Sequence, residues 1–180
     1  MLVPNKMQHV ICTGNISREQ FEELCTLAPN VHVVAGDYDL DPELAFPETR
    51  VLQVGQFRIG VIHGHQLLPY LSKDAAARMR RKLQVDIFIS GHAHQNEVTI
   101  LEEDDGYYYI NPGSITGAFS PLTAEKPTTT PSFILLAIQD NKLVCYVYEL
   151  INGEVEVSKT EFTKKAAESS NPSLLQSLLS

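Results

Sequence analysis

Val85-Asp86-Ile87-Phe88-Ile89-Ser90-Gly91-His92-Ala93-His94 is the stretch on which the fold turns. Val85 to Ser90 is a short, mostly apolar run, the pattern of a strand covered on both faces of a sheet. It stops at a glycine, and two imidazoles follow one residue apart. The same punctuation recurs upstream. Met7 to Cys12 ends in Thr13-Gly14-Asn15, Val31 to Ala35 ends in Gly36-Asp37, and Phe57 to Ile62 ends in His63-Gly64-His65. In α/β sheets, sites assemble from loops just past the carboxyl ends of strands, so these four loops are expected to meet at one crevice. Glycine at each loop lets the backbone approach closely and the next side chain turn inward. Imidazole nitrogens with Asn and Asp oxygens suit Zn, Mn, Fe or Co better than Ca. His9 and His32 lie on strands that carry no such loop, and they read as structural residues.

Outward from these loops, Ser17 opens a helical stretch to about Ala28, with Gln20 placed three residues on as a capping-box partner. Arg50–Val54 and Phe57–Ile62 flank Gly55-Gln56 as a hairpin, and Lys73–Leu83 reads as a second helix. From Glu97 onward strand follows strand: Val98–Leu101, Tyr107–Ile110, Ser132–Gln139, Leu143–Leu150 and Glu154–Phe162. The turns between them include Asp105-Gly106, Asp140-Asn141 and Asn152-Gly153. Early α/β alternation followed by consecutive strands predicts two stacked sheets with helices outside. One domain is expected over residues 1–163, with 164–180 as a disordered tail.

The 180 residues carry 14 Lys and Arg against 22 Asp and Glu, a net charge of −8. That leaves no basic excess to displace phosphate counterions and argues against a nucleic-acid binder. The longest purely apolar stretch, Phe133–Ile138, is far below the roughly 18–20 residues of a membrane span. With no secretory leader read at the start and three dispersed cysteines, Cys12, Cys25 and Cys145, a reduced cytosolic protein is expected.

Gly36-Asp37, His63-Gly64-His65, Gly91-His92-Ala93-His94 and Asn111-Pro112-Gly113-Ser114 together resemble the signature of the calcineurin-like metallophosphoesterases. More closely, the series that adds Gly14-Asn15-Ile16-Ser17, Gln66-Leu67-Leu68-Pro69-Tyr70 and Cys145-Tyr146-Val147-Tyr148-Glu149-Leu150 resembles the vacuolar protein sorting-associated protein 29 family, the small subunit of retromer. That resemblance runs from Leu2 to about Phe162. It implies an α/β, metallophosphoesterase-like two-sheet β-sandwich flanked by helices (α/β/β/α). The family's first strand, with its Asp-x-His motif, has no match before Met7, so the expectation is a chain truncated at its start or naturally short there.

In catalytic members of the superfamily, two metals share a bridging Asp and position a water nucleophile. Matched onto this chain, the bridging position is Asn15, the metal-binding Asn position is Asp37 and the acid-His position is Tyr38. His63 and His92 would serve the second metal and His94 the first. A neutral Asn between two dications weakens the pair. Tyrosine, with a reference pKa of about 10 against about 6.5 for histidine, is a poor proton donor to a leaving group. The implied metal is Zn or Mn, weakly bound, or none, and a two-metal hydrolase is disfavoured.

Gln66 to Leu71 places an apolar run at the rim of a polar crevice. It reads either as a loop tucked onto the core or as a docking patch, since exposed contiguous apolar area marks interfaces. By resemblance, Leu67, Leu68, Pro69 and Tyr70 would bind the large α-solenoid subunit. The Ser132–Leu150 hairpin has no polar face, which means either a sandwiched hairpin or a groove. The resemblance implies a groove of Leu2, Leu135, Tyr146 and Tyr148 for short hydrophobic motifs of endosomal regulators. The resulting expectation is a non-catalytic retromer scaffold in endosome-to-Golgi retrograde and recycling transport, cytoplasmic and only indirectly on endosomal membranes. The alternative is a metal-dependent phosphoesterase of the same fold.

Overall fold

The computed structural model describes residues 6–39, 41, 43–101, 107–120 and 129–164. The element order is β1 (His9–Cys12), α1 (Arg18–Leu27), β2 (Asn30–Val33), β3 (Thr49–Val54), β4 (Phe57–Ile62), α2 (Lys73–Leu83), β5 (Ile87–Ser90), β6 (Asn96–Leu101), β7 (Tyr107–Pro112), β8 (Ser132–Gln139), β9 (Lys142–Ile151) and β10 (Glu154–Thr163). Leu2, the Asp105-Gly106 turn and residues 165–180 of the expected tail lie outside the described residues. Lys164 is described and anchored: its backbone N–H donates to Asn141 O at 2.8 Å and its ammonium pairs with Asp86 at 2.7 Å.

A five-stranded sheet in the order β3-β4-β5-β7-β6 forms one layer. β4, β5 and β7 run parallel, and α2 makes the crossover from β4 to β5, since parallel neighbours cannot be joined by a tight turn. Alternation along these strands explains why they read as continuous apolar runs. Phe57, Ile59 and Val61 of β4, Ile87 and Ile89 of β5, and Tyr108 and Ile110 of β7 enter one core. Ile62, Phe88, Tyr107 and Tyr109 enter a second core, beneath Ala75, Ala76 and Ala77 of α2. Each large side chain so buried contributes on the order of 1.5–3 kcal/mol. Three alanines let the helix lie close to the sheet.

The first core is closed from the opposite side by two smaller sheets, β1-β2 and β8-β9-β10. Leu143, Cys145 and Phe162, with Val34 just past β2, are the buried contributions from this side, and Ile134, Leu136 and Ile138 pack alongside. The facing layer is therefore two hydrogen-bonded units where one continuous sheet was expected. β2 also departs from the expected strand buried on both faces. It pairs only with β1, as half of a two-stranded unit, and of its residues only Val33 is buried. α1 starts as its sequence predicts: Ser17 Oγ accepts from Gln20 N–H, and Gln20 Oε1 accepts from Ser17 N–H at 2.9 Å.

Candidate functional site

The carboxyl ends of β1, β2, β4 and β5 open onto one place. Gly14 and Gly36 let the first two loops touch: a Cβ on Gly14 would stand 2.6 Å from Gly36 N, and one on Gly36 would stand 2.0 Å from Asn15 Oδ1. No larger residue fits either position. Gly14 also has φ +99°, in the left-handed region that favours glycine. Asp39 fastens the same two loops, accepting from Ile16 N–H at 2.9 Å and Gly36 N–H at 2.6 Å. Asn111, 2% exposed, holds the Gly91-His92 loop through Gly91 O at 3.0 Å.

His63 is 3% exposed and sits at the centre. Its Nδ1 meets the Thr13 carbonyl, and because a carbonyl only accepts, the ring proton is on Nδ1. The Nε2 lone pair is thereby aimed outward, 3.0 Å from Asp37 Oδ1 and 3.2 Å from His92 Nδ1. Asp37, His63 and His92 each bring one donor atom within 4.8 Å of the others. The Asn15 amide at 3.3 Å and the His92 ring at 3.2 Å can each donate to the His63 Nε2 lone pair, and a cation among the three groups would take their place. One carboxylate and two imidazoles are a donor set for a borderline divalent ion such as Zn, which takes four ligands and would keep one position for water.

The electrostatics agree with that donor set. Burial pushes the Asp37 carboxyl up, but the Asn15 amide, its own backbone N–H, and His63 and His92 together hold it below the usual carboxylate value. The His92 imidazole lies below its ordinary value, first through burial and then through His63, His65 and His94, with Asp37 opposing. Its lone pair is available at neutral pH.

The other predicted ligands sit differently. Asn15 donates its Nδ2 to Asp37 at 3.0 Å, while its Oδ1 accepts from Tyr38 N–H at 2.9 Å, so it orients the carboxylate. His94 stands outside the three-residue group, its Nδ1 on Ala118 O at 2.8 Å. Tyr38, at the acid-His position, is 74% exposed. A water-sized cavity of about 20 Å³ beside His92 is lined by Tyr70, Leu71, Lys73, Ser90 and Tyr109.

Leu68 is 62% exposed, and Tyr70 and Leu71 are exposed with it, whereas Leu67 turns into the second core at 6%. Across the His92–His94 loop, Ile115 and Phe119 are exposed as well, brought there by the His94–Ala118 bond. Sequence reasoning missed these two, as it missed the fastening roles of Asp39 and Asn111. Asn111 stands in the Asn-Pro-Gly-Ser motif without a role, and the roles of all four follow only from their neighbours in space. On the far sheet, Leu135 opposes Tyr146, and Phe133 stacks on Tyr148 at 4.7 Å. Leu150, Val155 and Val157, all exposed, continue that apolar face.

Residues 2–141 match the calcineurin-like phosphoesterase superfamily domain. The vacuolar protein sorting-associated protein 29 of Schizosaccharomyces pombe is 32% identical over 166 residues, covering 91% of this chain and 86% of that protein. The crystal structure of wild-type Vps29 of Entamoeba histolytica complexed with Zn is 42% identical with a TM-score of 0.79, over 86% of this chain and 82% of that one. Vps29 of Chaetomium thermophilum complexed with a cyclic peptide is 32% identical with a TM-score of 0.75, over 92% and 85%.

Proposed function

The chain belongs to the calcineurin-like phosphoesterase superfamily and, within it, to the vacuolar protein sorting-associated protein 29 family, and from that premise we propose that it acts as a non-catalytic scaffold subunit of retromer. Its metal-type site is the rigid centre of a docking face for the large α-solenoid subunit. One observation carries this reading: two loops that touch the histidine loop carry exposed apolar residues, Leu68, Tyr70 and Leu71 on the loop whose Tyr70 ring lies 5.6 Å from His92, and Ile115 and Phe119 on the loop whose Ala118 carbonyl meets His94. Contiguous exposed apolar surface marks an interface, and a hydrolytic site gains nothing from such a rim.

A Zn-class ion held by Asp37, His63 and His92 would tie together the loops after β2, β4 and β5 and supply a Lewis acid at the surface. The chain's own residues supply little else for hydrolysis. Tyr38 stands in solvent at the acid position, and Asn15 turns its amide toward Asp37. The apolar face of Leu135, Tyr146 and Tyr148 is the second docking surface, for short hydrophobic motifs of regulators, and it supports an assembly role for the protein on the cytoplasmic side of endosomes. Among the described residues no helix is long and apolar enough to cross a membrane. Membrane association through the complex is the reading that follows.

The alternative, a metal-dependent phosphoesterase, is favoured by the Asp37–His63–His92 group itself, with His63 buried at its centre. Two measurements separate the readings. Leu68→Asp, at a position already in solvent, should leave the fold intact and abolish capture of the solenoid subunit. Undiminished capture would remove the docking face from the proposal. Phosphodiester turnover with Mn or Zn that disappears on His92→Ala would establish the enzyme instead.

A further inference from the structure

His9 and His32, 23 positions apart in sequence, meet where no motif predicts a site. β1 and β2 run parallel with Ile11 opposite His32 and His9 opposite Asn30, so both imidazoles project from one face, diagonally across the pair. The rings stack with centroids 5.4 Å apart and planes at 21°, and His9 Nδ1 lies 3.1 Å from His32 Nε2. They stand within the two strands, whereas the Asp37–His63–His92 group gathers past the carboxyl ends.

A shared proton leaves this pair incompletely satisfied. His32 Nδ1 is buried with no hydrogen-bond partner. If His32 Nε2 donates, that Nδ1 is an unpaired acceptor; if His9 Nδ1 donates, it is an unpaired N–H. That atom is an unpaired N–H with an ion bound as well, so what an ion changes is the contact between the two facing nitrogens. With the protons on His32 Nδ1 and His9 Nε2, two lone pairs face each other across 3.1 Å, a repulsion that a cation held by both relieves. Two imidazole nitrogens bound to one ion at about 2.0–2.1 Å lie roughly 3 Å apart at a right angle and about 3.4 Å apart at the tetrahedral angle. The 3.1 Å separation falls between these limits.

We propose that His9 and His32 form a second cation site, a two-imidazole clip across β1 and β2 for a borderline divalent ion of the zinc, nickel or copper class. Both rings are half-buried, so water completes the coordination on the open side. Burial first, and then His9 and Arg50, hold His32 below its ordinary imidazole value, which keeps it neutral and ligand-ready at pH 7. Arg50 is the neighbouring cation, its Nε–H committed to Val33 O at 3.1 Å, and its charge makes this the weaker of the two sites. Imidazole ligands alone, without carboxylate or thiolate, select this class of ion over Mg or Ca.

Calorimetric titration of the full chain with Zn²⁺ tests the clip separately from the carboxylate-containing site. Wild type should take up two equivalents. His9→Gln and His32→Gln should each take up one and retain the tighter, whereas His63→Gln should lose the tighter and keep the weaker. Unchanged stoichiometry and affinity in both His9→Gln and His32→Gln overturns the clip, whatever His63→Gln does. Should those variants fail to fold, wild type decides through carbethoxylation mapped by mass spectrometry. Saturating Zn²⁺ should slow modification of His9 and His32 at least several-fold, and equal rates with and without Zn²⁺ overturn the proposal.

Discussion

At the scale of single residues, the candidate site is organised by the Thr13 carbonyl, a group with no chemistry of its own. It accepts a hydrogen bond from His63 Nδ1–H and thereby fixes which nitrogen of a buried ring faces Asp37 and His92. The sign of the pH dependence follows from the two shifts in the site. Both Asp37 and His92 are held below their ordinary values. The folded site therefore binds fewer protons than the unfolded chain, and its contribution is present above the ordinary values and lost on acidification. Protons compete with a metal at the same nitrogens. Zn²⁺ affinity should be level between about pH 8 and 7 and fall as the solution is acidified below the ordinary imidazole value of about 6.5. Calorimetry across that range measures it, and an affinity unchanged down to pH 5 would show that His92 is not a ligand. Asn15, Asp37, His63 and His92 were legible as chemistry-bearing positions from their glycine-led loops alone. The distinction between orienting Asn15, outlying His94 and the three-residue group was not, because it rests on distances across four loops.

The elements differ in how much of their stability is local. α2 presents Ala75, Ala76 and Ala77 to the second core, so tertiary packing holds it. α1 has no buried side chain, and its capping box is its principal local support. Ser17→Ala should cost about 1 kcal/mol at the start of that helix. Faster amide exchange at Gln20 and Phe21, whose N–H groups bond Ser17, would report it, with α2 exchange unchanged. Equal protection in both proteins would mean that packing, not the cap, sets the helix start. Ser17 and Gln20 were readable at i and i+3, as were β8 and the hairpin across Gly55-Gln56, because local spacing and turn chemistry carry that information. β2 misled because an apolar run predicts burial, whereas actual burial depends on how many strands flank it. Val33 is covered, but β2 has one strand neighbour among the described residues.

For the whole molecule, the consequence of the layering is that the two apolar surfaces centre on different elements. Leu68 and Tyr70 lie past β4 at the carboxyl ends of the five-stranded sheet, whereas Tyr146 and Tyr148 lie on the outer face of β9. Tyr148 stacks on Phe133, so Tyr148→Ser removes aromatic surface from that face without touching the buried Leu143, Cys145 and Val147. Tyr148→Ser should weaken binding of a hydrophobic peptide by tenfold or more, about 1.4 kcal/mol, and leave solenoid capture intact, with Leu68→Asp doing the reverse. Changes on separate elements that share no partner add, so the double variant should show both losses and no more. A pull-down in which either single change affects both partners would merge the two surfaces into one.

The sequence by itself determined the order of elements, the four glycine-led strand ends and the family, because strand periodicity, capping and turn chemistry act over a few residues at a time. Tertiary structure alone decided which ligands share a site, why Leu67 packs inward while Leu68 faces solvent, and that His9 meets His32 across two strands. Each of these is a relation between segments distant along the chain. Only sheet register and packing bring such segments together.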